Sequence, residues 1–311
     1  MRTRNATSGA LGLVERMLVL RALPAFAHLP DDDLAVVANQ VTERVFRRGE
    51  VLIRQGEPVD VTHVVVEGRV EILEDGVVVD SSERRIGIGS LSMLSRIHAR
   101  RTVRAEQDTL VLELFHQRLR DLLEEHFSLL DGLIQFIARE TIDTFLALDE
   151  DFRIPMHERP LPVRIPSLQR DLDLVERILV IRQVPAFRRS RLDAVAQYAK
   201  LLEQIYIPKG EILWTQGEDC YHYLHMIHGV ARCQREGASA VLRFSMPGMP
   251  GFVGALGGIP RWSTAVAETD LVALRVDREI LPDVLEDNFE MALRFLEAAA
   301  RRLVQFLDLR A

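Results

Sequence analysis

The period of the hydrophobic positions changes twice in each half of the chain. Near the start, Leu11, Val14 and Leu18 recur at helical spacing, and Asp31 after Pro30 indicates the cap of a second short helix. Brief β-branched runs separated by glycine or acidic turns follow, and they read VTERVF, EVLIR, HVVVEG, RVEIL and VVVD. Strands of this length and spacing predict an antiparallel barrel or jelly roll.

Helical spacing returns after Leu114 and persists to about residue 148, and the second half repeats it from Ile280 to Leu309. This segment of the first half carries a broad apolar stripe, formed by Leu122, Leu123, Phe127, Leu130, Leu133, Ile134, Ile137 and Phe145. Two interpretations are open, because helical periodicity alone does not identify the partner. The stripe packs on its own barrel, or it forms the seam of a homodimer through the long C-terminal helices.

The two halves are copies of one another. Residues 11–26, LGLVERMLVLRALPAF, return at residues 172–187 as LDLVERILVIRQVPAF, with eleven of the sixteen positions identical at an offset of 161. The offset holds for the turn residues and becomes 162 further on, where Thr102 pairs with Thr264. Self-similarity at a domain-sized period indicates a duplication rather than a solenoid.

A proline-rich stretch separates the copies, with Pro155, Pro160, Pro162 and Pro166 inside residues 149–171. Prolines at that density favour an extended connector. We therefore predict domains at residues 1–148 and 172–311, joined by a linker over 149–171. The predicted fold class is α+β, with two tandem antiparallel β-roll (jelly-roll) domains, each flanked by N-terminal helices and a long C-terminal helix.

The order of motifs in each half resembles the cyclic nucleotide-binding domain of catabolite-activator-type regulators and kinase regulatory subunits. It comprises a helix, a small β-roll with a GE…QGE turn series, a glycine-rich turn, R-x-x-T and a long helix. The resemblance implies a ligand cassette of the form FGELAL, a spacer and RxATV. In that family the arginine binds the cyclic phosphate, the glutamate accepts from a ribose hydroxyl, and backbone N–H groups of a small helix complete the anion site.

In the second half the resemblance places the site in the stretch GFVGALGGIPRWSTAVA. Ala255 stands at the glutamate position, and Arg261, three residues before Thr264, keeps the arginine position. From Gly254 to Arg261 the spacer is seven positions, which predicts a narrowed pocket. Trp262 either stacks on a base or packs in the core. The candidate ligand-binding residues are Gly254, Ala255, Leu256, Arg261, Trp262, Ser263 and Thr264.

In the first half the cassette is predicted at Gly89, Ser90 and Leu91, with Ser90 at the glutamate position and Ala99 at the arginine position. This spacer is ten positions long. The neighbouring Arg100 and Arg101 are expected to face solvent, because a shift of one residue on a strand reverses the direction of the side chain. The first half is therefore not expected to bind a cyclic nucleotide.

Composition narrows the remaining function classes. The apolar fraction of 48% and charged fraction of 27% are typical of globular proteins, and no run approaches the length of a membrane span or signal sequence. The net charge of −7 and the lack of a Lys/Arg block disfavour nucleic acid as a partner. We also expect no helix-turn-helix domain, because the sequence ends two residues past Leu309. Two cysteines do not make a disulfide framework, so a cytoplasmic location without membrane insertion is expected.

Other chemistry is not indicated. His222, His225 and His228 lie on one predicted strand and cannot converge on a metal, because alternate residues face opposite sides. No catalytic motif is present, so we expect neither an enzyme nor a cofactor other than a cyclic nucleotide or related anionic ligand. Two functions follow. One is a regulatory protein that senses an anionic ligand through its second domain and acts on an unknown protein partner. The other is a ligand-independent interaction scaffold.

Overall fold

The structure is a computed structural model that describes residues 10–83, 87–147, 170–238 and 241–310. The chain divides into two compact units, Met1–Leu133 and Ile134–Ala311. The predicted linker, residues 149–171, lies almost wholly outside the described residues, and so does residue 148, the predicted end of the first domain.

The first half of the chain contains a β-roll between short helices. Its elements in chain order are α1 (Leu13–Arg21), a 3-10 turn (Pro24–Phe26), α2 (Asp31–Gln40), β1 (Thr42–Phe46), β2 (Val51–Ile53), β3 (Val61–Glu67), β4 (Val70–Glu74), β5 (Val77–Ser82), β6 (Gly87–Ile88), α3 (Ser90–Ser95), β7 (Thr102–Ala105), β8 (Thr109–Phe115), α4 (His116–Glu125) and α5 (Phe127–Leu146). From Ile134 onward, α5 belongs to the second unit. The strands form two antiparallel sheets in the orders β1-β8-β3-β6 and β2-β7-β4-β5.

The second half repeats this order. Its elements are α6 (Leu174–Ile181), α7 (Pro185–Arg188), α8 (Leu192–Lys200), β9 (Glu203–Ile207), β10 (Ile212–Trp214), β11 (His222–His228), β12 (Ala231–Gln234), β13 (Val241–Phe244), α9 (Phe252–Gly257), β14 (Thr264–Ala267), β15 (Leu271–Asp277), α10 (Ile280–Glu286) and α11 (Phe289–Arg310). Its antiparallel sheets have the orders β10-β14-β12-β13 and β11-β15-β9. The predicted fold class is confirmed.

Local chemistry explains where the first helices begin. Glu15 accepts from the backbone N–H of Gly12 at 2.9 Å at the start of α1. Gly12 has no side chain to return the hydrogen bond, so only half of a capping box is present. The equivalent α6 has the full reciprocal pair, because Asp173 and Glu176 each accept from the other's N–H at 2.9 Å. Both helices therefore start at the position that the repeated sequence dictates.

The long helical segments are each broken once, between α4 and α5 and between α10 and α11. Most of the apolar stripe of the first half is buried within the chain: Leu122, Leu123, Leu130, Leu133, Ile134 and Ile137 are all under 9% exposed. This burial favours internal packing of the stripe over a dimer seam.

Candidate functional site

The short helix α9 is framed by two glycines in the left-handed region. Gly251 precedes it with a φ of 82°, and Gly258 follows it with a φ of 60°. A side chain at Gly251 is disfavoured by its backbone conformation. Its Cβ atom would also lie 2.5 Å from Nη1 of Arg261, so the end of the arginine would have to shift. Gly251 therefore lets the arginine approach the start of the helix.

The first half contains the same turn before α3. Gly89 has a φ of 85° and caps α3 as Gly251 caps α9. Counted from these glycines, Ala99 and Arg261 both lie ten positions downstream. The shortened spacer predicted from Gly254 is therefore wrong, because Gly254 lies inside α9 rather than in the turn.

This register also changes the residue at the family's glutamate position. The residue after the capping glycine is Ser90 in the first half and Phe252 in the second. The prediction of Ala255 at that position is wrong, because Ala255 lies three residues further along α9. The Phe252 ring packs against Tyr223, with 5.1 Å between ring centroids.

Backbone hydrogen bonds confirm the predicted pairing of Ala99 with Arg261. The N–H of Gly56 donates to the Ala99 carbonyl at 2.8 Å, and the N–H of Gly217 donates to the Arg261 carbonyl at the same distance. In return, the N–H groups of Ala99 and Arg261 donate to the carbonyls of the residues that follow those glycines, at 2.8 and 2.7 Å. Ala99 and Arg261, in the loops before β7 and β14, therefore occupy equivalent places in the two β-rolls.

Arg261 is a buried cation. Only 4% of the residue is exposed, and its guanidinium carbon lies 4.0 Å above the ring of Trp214. Nη2 lies 3.4 Å from Nδ1 of His222, whereas Nε and Nη1 have no hydrogen-bond partner. No carboxylate of the described residues forms an ion pair with this guanidinium. Burial lowers the pKa of Arg261, against the opposing effects of Cys220 and Glu218.

His222 does not neutralise the positive charge of Arg261. Burial, followed by the positive charges of Arg261 and Arg275, lowers its pKa to about 4, and Asp277 opposes the shift only in part. The imidazole is therefore neutral at pH 7, and Nδ1 is free to accept from the guanidinium. The tautomer is inferred from this contact.

A small cavity adjoins Arg261. Its volume is about 10 Å³, which is room for the centre of one water molecule. It is lined by Trp214, Cys220, Cys233, Gly251, Gly254, Arg261, Trp262 and Ser263. Burial raises the pKa of the Cys220 thiol and raises that of Cys233 to about 12, so neither thiol supplies a negative charge at neutral pH.

Four of the residues predicted for this site line the cavity: Gly254, Arg261, Trp262 and Ser263. Ala255, Leu256 and Thr264 are not among its lining residues. The hydroxyl oxygen of Thr264 instead accepts from the N–H of Gln216 at 3.0 Å, as Thr102 does from Gln55 in the first half. Sequence reasoning missed Trp214 and Cys220, and no motif signals them.

Helix α5 packs directly on α9 within the second unit. Nε of Arg139 donates to the carbonyl of Gly257 at 2.7 Å. A Cβ atom at Gly257 would lie 3.3 Å from Cγ of Arg139, so the glycine permits this close approach. The Phe145 ring meets the Trp262 ring edge to face, with 5.2 Å between centroids. Trp262 thus serves as packing between α5 and the cavity wall in this conformation.

The equivalent place in the first half is apolar. A Cβ atom at Gly89 would lie 2.6 Å from Cδ1 of Ile53 and 3.1 Å from Cγ1 of Val59. Met93 on α3 is only 1% exposed, and Ala99 is 6% exposed. These side chains fill the volume beside the turn and include no cation that could bind an anion.

The other predicted residues of the first half lie around this apolar cluster. Ser90 and Leu91 begin α3 and are half-buried, while Arg100 and Arg101 are exposed as expected. Arg101 donates from Nη2 to a carboxylate oxygen of Glu74 at 2.9 Å, on the outside of the β-roll. Arg100 and Arg101 therefore do not take the buried place that Arg261 has in the second half.

The three histidines of β11 take separate environments. His225 is buried, and its Nε2 lies 2.8 Å from the hydroxyl of Tyr198, which in turn lies 2.6 Å from that of Tyr223. Burial lowers the pKa of His225 to about 3. His228 is exposed, and His222 contacts Arg261. Within residues 10–83, 87–147, 170–238 and 241–310, no group of three histidine, cysteine or acidic side chains is placed to hold a metal ion.

Comparison with known proteins agrees with this geometry. Residues 43–126 and 204–288 both match the family model of the cyclic nucleotide-binding domain. The chain belongs to this family and carries two tandem copies of its domain.

Two curated relatives match different lengths of the chain. A protein of Rhodopseudomonas palustris named as a potassium channel protein is 32% identical over 123 residues, which are 38% of this chain and 30% of the relative. A cAMP-dependent protein kinase regulatory subunit of Yarrowia lipolytica is 24% identical over 247 residues, which are 79% of this chain and 54% of the relative. The chain thus spans about half or less of the length of each.

One solved structure that resembles the chain is the regulatory subunit of a cAMP-independent protein kinase A from Trypanosoma cruzi bound to guanosine. Its TM-score is 0.36 at 15% identity, with 86% of this chain and 82% of that chain covered.

Among the residues that the structure describes, no helix combines the length and apolarity needed to cross a bilayer.

Proposed function

We propose that this protein is a non-enzymatic regulatory protein whose second domain receives an anionic ligand of the cyclic nucleotide class through Arg261. The observation that carries the proposal is the buried guanidinium with two unpartnered nitrogen atoms on a cavity wall. Family membership supplies the ligand class, and the Yarrowia lipolytica relative supports a regulatory role.

The electrostatics favour an anion at this place. A buried charge without a partner costs several kcal/mol, and a cation–π contact with Trp214 returns only about 2 kcal/mol of that. A phosphate oxygen pair matches the fork of guanidinium donors and would satisfy Nε or Nη1. The amino end of α9 lies beside the same turn, and the peptide dipoles at a helix start favour negative charge.

Occupancy requires the site to open, since a cavity of about 10 Å³ does not admit a nucleotide. We infer that α9 and the Trp262 segment move outward when a ligand enters. Both are attached to α5, through the Arg139–Gly257 hydrogen bond and the Phe145–Trp262 contact. Binding therefore competes with the present position of α5, which is the differential affinity that a regulatory response needs.

Phe252 bears on how the site treats the sugar of the ligand. Where the family has a glutamate that accepts from the ribose hydroxyl, this chain has an aromatic ring packed on Tyr223. A phenyl ring accepts no ordinary hydrogen bond from a hydroxyl. We propose that the site does not select for the ribose 2′-hydroxyl and binds a 2′-deoxy cyclic nucleotide as well as the ribose form.

A ligand-independent scaffold is the second candidate. It is favoured by the apolar side chains that fill the equivalent place in the first half, and by the small volume of the cavity in the second. On this reading both β-rolls present fixed surfaces to a protein partner, and Arg261 contributes packing on Trp214 only.

Titration calorimetry with cAMP, cGMP, 2′-deoxy-cAMP and cyclic dinucleotides separates the two candidates. The sensor predicts binding by the wild type and loss of that binding in Arg261→Met. A matched control is Arg243→Met, because that side chain is exposed and paired with Glu268 on the surface of the same unit. Hydrogen exchange in the complex should rise in α9 and in the part of α5 around Arg139. Absence of binding at millimolar ligand would support the scaffold.

A further inference from the structure

The first helix of each half presents the same apolar side chains to solvent. Val14 is 67% exposed and Val175, its counterpart at the offset of 161, is 65% exposed. We name the α1 patch and the α6 patch by their three residues each, which are Leu13, Val14 and Leu18, and Leu174, Val175 and Leu179. All three positions carry the same residue in both halves.

Folding explains the other matches in these helices but not the patches. Glu15 and Glu176 accept from the backbone N–H groups of the N-cap residues. Arg16 and Arg177 donate to backbone carbonyls at the ends of α2 and α8, at 3.4 and 2.6 Å. The patch side chains have no such role, since they point away from their own units into solvent. An apolar cluster exposed twice indicates a contact surface.

The charges beside the two patches are opposite. Over residues 21–33 the first half has one arginine and three aspartates, whereas the equivalent residues 182–194 have four arginines and one aspartate. Asp32 and Arg189 are exposed on the two sides, and so are Asp31, which pairs with Arg21, and Arg191, which pairs with Asp193 at 2.7 Å. Each group of charges therefore continues from the carboxyl end of its patch helix.

The structure fixes these groups next to the patches. Arg21 is the last residue of α1 and lies one helical turn beyond Leu18. It pairs with Asp31 and so holds the aspartates near the carboxyl end of the patch helix. In the second half, Nη2 of Arg182 donates to the carbonyl of Arg188 at 2.7 Å and holds the basic turn at the same place beyond α6. The patches are thus alike in their apolar part and complementary in their charged part.

We infer that the α1 patch of one copy of this chain docks on the α6 patch of a second copy, with the carboxyl ends of the two helices together. Like pairings are disfavoured, because they would bring aspartates against aspartates or arginines against arginines. The mixed pairing buries both apolar clusters and places acidic side chains against basic ones. The partner is therefore a second copy of this chain.

Sedimentation velocity of the full chain over a concentration series tests this pairing. Val14→Glu and Val175→Glu are each expected to weaken self-association on the order of tenfold or more, because either change damages every mixed contact. Exposed valines are not needed for folding, so the variants should keep the wild-type melting temperature. Loss of association in only one of the two variants, or a wild type that stays monomeric at its highest concentration, would overturn the inference.

A charge exchange gives a second test that does not depend on the apolar change. Asp31→Arg with Asp32→Arg should weaken association, and adding Arg189→Asp with Arg191→Asp should restore it.

Thiol cross-linking tests which helix docks on which. A mixture of the Leu18→Cys and Leu179→Cys chains should cross-link faster than either chain alone. The native Cys220 and Cys233 are buried and do not interfere. Equal cross-linking of each chain with itself would contradict the mixed pairing.

Discussion

The two halves place different chemistry on one backbone. Beside the turn before α3, the first half has Ile53 and Val59, which close the space with apolar groups. Beside the turn before α9, the second half has Trp214 below the guanidinium of Arg261. Since the first half folds into the same β-roll without a cation, the fold does not require the buried charge. The charge is therefore better explained by a ligand than by stability.

The largest effect that separates the halves is expected from Met93→Ala. Met93 on α3 is 1% exposed and packs in the core of the first β-roll, so its truncation should cost about 2–5 kcal/mol of unfolding free energy. The second half already has an alanine, Ala255, at the equivalent position. Urea unfolding measures the loss, and Val77→Ala on an exposed strand is a control expected to change stability by no more than about 0.5 kcal/mol. If Met93→Ala left the unfolding free energy unchanged, the core around α3 would not be tightly packed.

A smaller difference is expected between Gly89→Ala and Gly251→Ala. Both changes force an L-residue into the left-handed region, which costs about 1–2 kcal/mol. The alanine at Gly89 also meets Ile53, Val59 and a backbone oxygen within 3.2 Å, whereas the alanine at Gly251 meets mainly the flexible end of Arg261. Thermal unfolding should therefore show the larger loss for Gly89→Ala. Equal losses would indicate that Arg261 is held as rigidly as an apolar wall.

The smallest effect concerns pH. Burial and Arg261 lower the pKa of His222 to about 4, and burial and Arg44 lower that of His63 in the first half to about 4. Because the unfolded chain binds these protons first, stability is complete above the ordinary histidine pKa of 6.5 and falls as the pH drops toward 4. An anion on Arg261 should raise the pKa of His222 and leave that of His63 unchanged. NMR titration of the two imidazoles with and without cyclic nucleotide measures this, and equal shifts would argue against an anion at Arg261.

Much of the fold could be predicted from the residues alone. The duplication, the short strands and the order of helices follow from the period of hydrophobic positions, and the pairing of Ala99 with Arg261 follows from counting back from Thr102 and Thr264. These features depend on local pattern, which the sequence displays directly.

The register of the turn could not be predicted from residue types. Gly251, Gly254 and Gly257 all lie near the cassette, and only backbone geometry shows that Gly251 adopts the left-handed conformation. The signal in the sequence that could have located this turn is the equal spacing of ten residues from Gly89 to Ala99 and from Gly251 to Arg261. The stacking of Arg261 on Trp214 and the hydrogen bond from Arg139 to Gly257 join residues distant in sequence, so no local pattern indicates them.

The central claim is that Arg261 is a buried charge kept for an anion, and one double comparison tests it most directly. Thermal unfolding of the wild type and of Arg261→Met is measured with and without cAMP or cGMP. Without nucleotide, Arg261→Met should be at least as stable as the wild type, because it removes an unpaired buried charge. With nucleotide at a hundred times its dissociation constant, the wild type should gain about 2.7 kcal/mol and the variant nothing. A variant that is less stable without nucleotide, together with a wild type that no cyclic nucleotide stabilises, would contradict the account.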